Sequence, residues 1–256
     1  MKRVFIVDIG SDYYYSVDIL QKELEKEGVE VERPKSMKEF SKLIALSNKG
    51  WLAGDPPALF LDLHFYQRFQ IRETLMAIEA LGIKVVNSPR AVSLTHSRLG
   101  TLYFLRRGGI KTPEFYFGHP SLIPQRFGDE VIYKLPKGHL VFRFERGKTH
   151  SLDEVIYVEK PLETKGKLIT VYNIFGEIFA AEKTDSLSTA KKRKRLLSNV
   201  PENLREITLK IGRMTQLNFY GVDFIEDFVI DLNPYPNPFF YDRVIEIFKE
   251  YIISNL

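Results

Sequence analysis

Gly221-Val-Asp-Phe-Ile-Glu-Asp-Phe-Val-Ile-Asp-Leu-Asn-Pro-Tyr-Pro236 is the stretch that decides how this chain is read. Asp223 starts one apolar strand. Asp231 and Asn233 stand at i and i+2 near the end of the next, so their side chains share one face. Pro234 and Pro236 then stop the strand. Three oxygen-bearing side chains converging from adjacent strands suit a hard cation such as magnesium, which takes further oxygens from phosphates. The same residues also read as an Asp and an Asn in a surface hairpin, with Asn-Pro making the turn. The upstream chain has to choose between the two.

Working back from Gly221, residues 202–217 carry Leu204, Ile207, Ile211, Met214 and Leu217 on one helical stripe. Short strands recur before it, over 130–135, 139–144, 154–160, 167–174 and 177–183, and Phe175-Gly176-Glu177 predicts a hairpin. Ser88-Pro89 opens a helix over 89–95, and a second covers 97–107 before Gly108-Gly109. The N-terminal third alternates. An apolar strand over 3–9 is followed by an amphipathic helix built on Val17, Leu20 and Leu24, capped by Gly28, and a strand from Val29. A polar helix is expected over 36–47, a strand over 58–63, a helix over 67–81 and a strand over 84–86. Alternating β and α predicts a small doubly wound lobe. Helix 241–254 closes the chain.

The composition bounds the function. A chain of 256 residues with 44% hydrophobic and 27% charged content has enough apolar surface for a large core. No apolar run approaches membrane-spanning length. With no cysteine, disulfides and thiolate metal sites are excluded, which fits a cytoplasmic protein. A net charge of +4 favours phosphate ligands. The basic run Lys191–Arg195 reads as a solvated loop or helix face, because no aromatic residues interleave with it to stack bases. The five histidines are scattered without metal-ligand spacing.

Several ordered landmarks together resemble the ATP-grasp superfamily, and within it the RimK-type and glutathione-synthetase-like amino-acid ligases. They are Gly82-Ile-Lys-Val-Val-Asn-Ser-Pro-Arg-Ala91, two short helices, Gly109-Ile-Lys-Thr-Pro113, and the closing Gly221-Val-Asp223 with Asp231-Leu-Asn233. The resemblance runs from about residue 3 to 250. It implies an α/β fold, α+β in its C-terminal half, with an N-terminal lobe over 1–88, a central lobe over 89–155 and a C-terminal lobe over 156–256. ATP would lie between the last two. It implies a Mg-ATP-dependent ligase that joins a carboxylate to an amine through an acyl phosphate, acting on a small amino-acid-like substrate. Many relatives form dimers or tetramers.

Carried over residue by residue, the resemblance makes Asp223, Asp231 and Asn233 ligands of Mg2+. Asp231 is one methylene shorter than the family's glutamate. Lys134 would reach the α- and β-phosphates, and Lys183 the γ-phosphate. Glu159, Lys160, Pro161 and Leu162 would form the hinge whose backbone reads adenine. Arg98 stands where the family has a phosphate-binding lysine. The family's glycine-rich cover reduces here to Gly138, with Lys137 beside it and Pro136 stiffening it. Lys167-Leu-Ile-Thr170 stands where an arginine is usual. These departures leave a second reading, a nucleotide-binding relative without ligase turnover. A third, a nucleic-acid-associated protein working through 191–195, rests on the basic run alone. Ser11 and Asp12 lie beyond the first strand, where doubly wound lobes bind ligands, and also suit an N-cap. Arg68 and Arg72 are the candidates for a substrate carboxylate.

Overall fold

The computed structural model describes residues 3–7, 14–34, 36, 38, 39, 42, 58–60, 73, 76, 77, 79, 80, 85–134, 141–151, 155–162, 166–183, 194–236, 238 and 241–255. The helices expected over 36–47 and 67–81 lie for the most part outside them. So do Ser11, Asp12, Arg68, Arg72, Lys137 and Gly138.

Strand β1 (Arg3–Val7) pairs in parallel with β2 (Glu30–Glu32) and β3 (Ala58–Phe60), and β3 pairs with β4 (Val85–Val86), in the order β2-β1-β3-β4. Helix α1 (Tyr14–Lys26) buries Val17, Leu20 and Leu24 completely. It ends at Gly28, whose φ of +75° suits glycine and lets Val29 donate back to the Leu24 carbonyl. Helices α2 (Pro89–His96) and α3 (Arg98–Arg107) follow. Ser88 caps α2 by accepting from the Ala91 N–H, and Ser97 caps α3 by accepting from the Gly100 N–H.

The central sheet is antiparallel, in the order β5-β8-β6-β7: β5 (Phe115–Gly118), β6 (Glu130–Lys134), β7 (Val141–Glu145) and β8 (Ile156–Glu159). Strand β8 lies beyond the 155/156 boundary read from the sequence, yet it hydrogen-bonds in this sheet with β5 and β6. One face of the sheet buries Val131, Ile156 and Val158 with Ile123 and Phe127. The alternate residues of β6 and β8, Lys134, Tyr157 and Glu159, point the other way.

The C-terminal sheet is also antiparallel, in the order β11-β10-β9-β12-β13: β9 (Leu168–Ile174), β10 (Glu177–Lys183), β11 (Lys194–Leu196), β12 (Phe219–Ile225) and β13 (Phe228–Asn233). The expected hairpin turn joins β9 to β10 through Phe175 and Gly176. Helix α4 (Glu202–Thr215) covers one face, burying Leu204 and Ile211 against Val171, Ala180, Val222 and Phe224. On the other face Tyr172, Ile174, Phe179 and Phe219 join a core shared with β1, α1 and α5 (Val244–Ser254). The basic run differs from its expected loop or helix. Lys194–Leu196 form the edge strand β11, and alternation sends the side chains apart: Arg195 pairs with Glu182, and Lys194 lies over the Tyr172 ring. Residues 191–193 lie outside the described residues.

Asn87, between β4 and α2, ties the N-terminal lobe to the C-terminal sheet. It is fully buried. Its Nδ2 donates to the carbonyls of Phe219 (2.5 Å) and Pro234 (2.6 Å). Its Oδ1 accepts from the N–H groups of Asn218 and Phe219, both at 2.9 Å. Both backbone groups of Phe219 thus bind one side-chain amide, which takes the place of a neighbouring strand where β13 has already ended.

Candidate active site

Alternation along β12 builds the site. Val222 and Phe224 point into the α4 core, so Gly221 and Asp223 point to the opposite face. The register sets Thr170, Asp223 and Asp231 directly opposite one another on β9, β12 and β13. Gly221 stands opposite Asn233, which puts all three expected metal ligands on one face. A Cβ on Gly221 would lie 3.1 Å from the Cβ of Pro236, so a larger residue there has to push the 234–236 turn back by a few tenths of an ångström.

The acids sit in a row with a base at each end. Lys183, at the end of β10, donates to Asp223 Oδ2 at 2.7 Å, and Thr170 donates to Asp223 Oδ1 at 2.6 Å. At the other end Arg98, the first residue of α3, lies beside Asp231 with Nε 3.9 Å from Oδ1. Across the sheet the sequence is Lys183, Thr170, Asp223, Asp231, Arg98. Asn233 accepts from the Tyr235 N–H at 2.9 Å, an Asx turn that fixes its amide.

A second group faces this row from the central sheet. Lys134 and Glu159 form a buried ion pair, Nζ to Oε2 2.7 Å. Lys134 also donates to the Ile230 carbonyl at 3.0 Å, so its ammonium bridges the two antiparallel sheets. The register shift between Asp223 and Phe224 leaves Ile230 as the extra residue of a bulge, and the bulge leaves that carbonyl free to accept. Tyr157 donates to Glu159 Oε1 at 2.6 Å. Burial above all, and then the Glu159 carboxylate, raise the Tyr157 phenol well above its ordinary range, so it stays a donor.

The hinge residues are adjacent to this group. Lys160, Pro161 and Leu162 are half-buried directly after Glu159. The Lys160 N–H donates to the Glu114 carbonyl at 2.8 Å, which fixes the start of this segment against the residue just before β5. Sequence pattern alone does not single out Tyr157, the hydroxyl of Thr170, the place of Lys194 beside Tyr172, or Asn87. In the sequence Thr170 is only the end of Lys167-Leu-Ile-Thr170, the stretch that stands where the resemblance expects an arginine. Its signal was the apolar alternation of 168–174, which puts residue 170 on the face of Asp223 once those strands pair.

Two carboxylates and an amide oxygen fit a hard divalent cation whose remaining ligands come from phosphate and water. Among the described residues no cluster of three or more His, Cys, Asp and Glu side chains offers an all-protein metal cage. A cavity of about 520 Å³ lined by Gly109, Lys111, Glu206, Lys210, Arg213 and Asp227 lies on the α4 side, away from the acids. Among the described residues no helix is long and apolar enough to cross a membrane.

A parallel α/β lobe, a two-helix connector and two antiparallel sheets, with acids on one and a buried lysine on the other, make up the ATP-grasp fold. The chain has that fold. No protein-family model matches its sequence, and no curated protein does. The likeness lies in the structure. An ATP-grasp ligase from Chryseobacterium gregarium, RiPP-associated and solved with ADP and a leader and core peptide, superposes with a TM-score of 0.75 at 16% identity, covering 100% of this chain and 98% of that one. The ATP-grasp ligase PsnB with a minimal precursor, Mg and ADP gives 0.74 at 16% identity, over 98% and 97% of the two chains. D-alanine–D-alanine ligase from Bacillus anthracis, complexed with ATP, gives 0.71 at 15% identity, over 100% and 97%.

Proposed function

We propose that this protein is an ATP-dependent ligase that activates a carboxylate as an acyl phosphate and joins it to an amine. The observation that carries this reading is the row of Asp223 and Asp231, with Asn233 beside them, bases at both ends, and Lys134 reaching over from the central sheet to the Ile230 carbonyl. In this reading Asp223, Asp231 and Asn233 hold magnesium, which would neutralise charge on the phosphates. Lys134, Lys183 and Arg98 meet phosphate oxygens, and Glu159 to Leu162 border the adenine. The carboxylate oxygen attacks the γ-phosphorus and ADP leaves. The amine then attacks the acyl carbon, phosphate leaves and an amide remains. The bases orient the transferred group and offset its charge, which is the main protein contribution to phosphoryl transfer.

Two of the solved relatives carry peptide precursors, which supports an amino-acid or peptide-like substrate. Arg68 and Arg72 are the proposed carboxylate contacts, with Ser11 and Asp12 beyond the first strand, and Lys137 and Gly138 cover the phosphates. The absence of cysteine supports a cytoplasmic setting. The test is phosphate release from ATP in the presence of magnesium, screened over amino acids and short peptides. Release that depends on both a carboxylate and an amine substrate is the expected result. Nucleotide binding with no turnover on any of them would leave a binding protein instead.

A further inference from the structure

The bases of the site are not waiting for phosphate, and the acids are not waiting for a cation. Each holds the other. Asp223 is held by Lys183 at 2.7 Å, and Asp231 faces Arg98 at 3.9 Å. A cation arriving alone meets a positive charge beside each carboxylate, hydrogen-bonded to Asp223 and 3.9 Å from Asp231. A phosphate arriving alone meets bases already neutralised, with a carboxylate beside each. Only the two together replace like with like.

Exposure separates these pairs from the third. Lys134 and Glu159 are 8% and 4% exposed, with the ammonium also on a backbone carbonyl, so that pair is part of the packing. Lys183 and Asp223 are 18% and 20% exposed, and Arg98 and Asp231 are 17% and 38% exposed. Both of these pairs are partly open to solvent. They also sit at opposite ends of the row: Lys183 approaches from β10 and Arg98 from α3. Withdrawal of both bases therefore opens the two central acids, which stand in direct register, to one shared cation. Thr170 can keep its bond to Asp223 Oδ1 while Lys183 leaves Oδ2. A flexible lysine stem suits such a change of partner.

We propose that Lys183 and Arg98 are exchange counter-ions: they neutralise Asp223 and Asp231 until phosphate oxygens take them away, so that divalent cation and nucleotide bind with positive coupling built into the side-chain pairing. The proposal rests on reading the site as a magnesium–nucleotide site. Linkage makes the effect reciprocal, so each ligand tightens the other by the same factor.

Calorimetry on the full chain tests it with two variants. The probes are a non-hydrolysable ATP analogue, with magnesium or in EDTA, and magnesium chloride alone. Asp223→Asn frees Lys183 without removing volume, and it should bind the analogue in EDTA about tenfold more tightly than the parent, within the usual range of coupling between two ligands. Lys183→Met frees Asp223, and it should bind magnesium alone about tenfold more tightly while losing affinity for the analogue in EDTA. The two variants carry the test independently, so loss of folding in one leaves the other. Unchanged or weaker binding in EDTA by a folded Asp223→Asn protein, or of magnesium by a folded Lys183→Met protein, overturns the exchange. If the parent fails to bind the analogue even with magnesium, the site reading falls first. Binding by the parent with unmoved variants overturns the exchange alone.

Discussion

Replacing Asn87 by alanine removes a side chain that stands in for a missing strand. Its four hydrogen bonds, at 2.5, 2.6, 2.9 and 2.9 Å, join the end of β4 to the start of β12 and to the turn after β13. Each such bond contributes about 0.5–1.5 kcal/mol net, so the four sum to about 4 kcal/mol. Because Asn87 is fully buried, little water is at hand to satisfy the two N–H groups and two carbonyls left behind. With a urea m-value of about 3 kcal/mol/M, the unfolding midpoint should fall by about 1.3 M. Asn87→Asp sharpens the test. The aspartate keeps two acceptor contacts but turns a carboxylate oxygen toward the carbonyls of Phe219 and Pro234. It should lower the midpoint at least as far as alanine does. Circular dichroism against urea gives both midpoints. A shift below about 0.3 M for alanine, or an aspartate variant more stable than the alanine one, would refute the carboxamide as the tie between the lobes.

Three further outcomes follow from the site. Lys134→Met strands the Glu159 carboxylate in a buried position beside the Tyr157 hydroxyl, and should cost about 3–5 kcal/mol as well as nucleotide affinity; a urea midpoint equal to the parent's would rule out the buried pair. Tyr157→Phe removes one bond to a charged acceptor and should cost about 1.5–3 kcal/mol at neutral pH. The folded phenol is raised above its unfolded value, so its stabilising share is present below about pH 10 and is lost as pH climbs beyond it. The phenylalanine variant should therefore lose less stability than the parent between pH 9 and pH 11 in paired urea titrations, and an equal loss would contradict the burial of that hydroxyl. Gly221→Ala puts a Cβ 3.1 Å from Pro236 and should cost about 1–3 kcal/mol while loosening magnesium-dependent nucleotide binding; a neutral result in both assays would mean that the 234–236 turn gives way freely.

Local periodicity made much of the frame legible. The stripe of α4, the Gly28 stop after α1, the Ser88-Pro89 opening of α2 and the β9–β10 turn are each written within a few residues. So is the common face of Asp231 and Asn233, because a strand alternates wherever it lies. Long-range pairing was not legible. The run around 156–159 reads as a strand, but nothing local says that it joins β5 and β6. Without that register, Lys134 cannot be seen to meet Glu159, 25 residues later. Asn87 stood inside a quoted landmark, yet its partners are more than 130 residues away. Lys194–Leu196 were hidden for another reason: charge density suggests a solvated run, while a strand needs only alternate side chains to find separate faces.

Magnesium-dependent ATP binding by the intact protein, followed by calorimetry in the parent and in the double variant Asp223→Asn/Asp231→Asn, tests the central claim most directly. The account predicts saturable binding at one site in the parent, weakened on chelation of magnesium, and magnesium dependence abolished in the double variant. A folded parent that binds no ATP, or a double variant that keeps the parent's magnesium dependence, would contradict it.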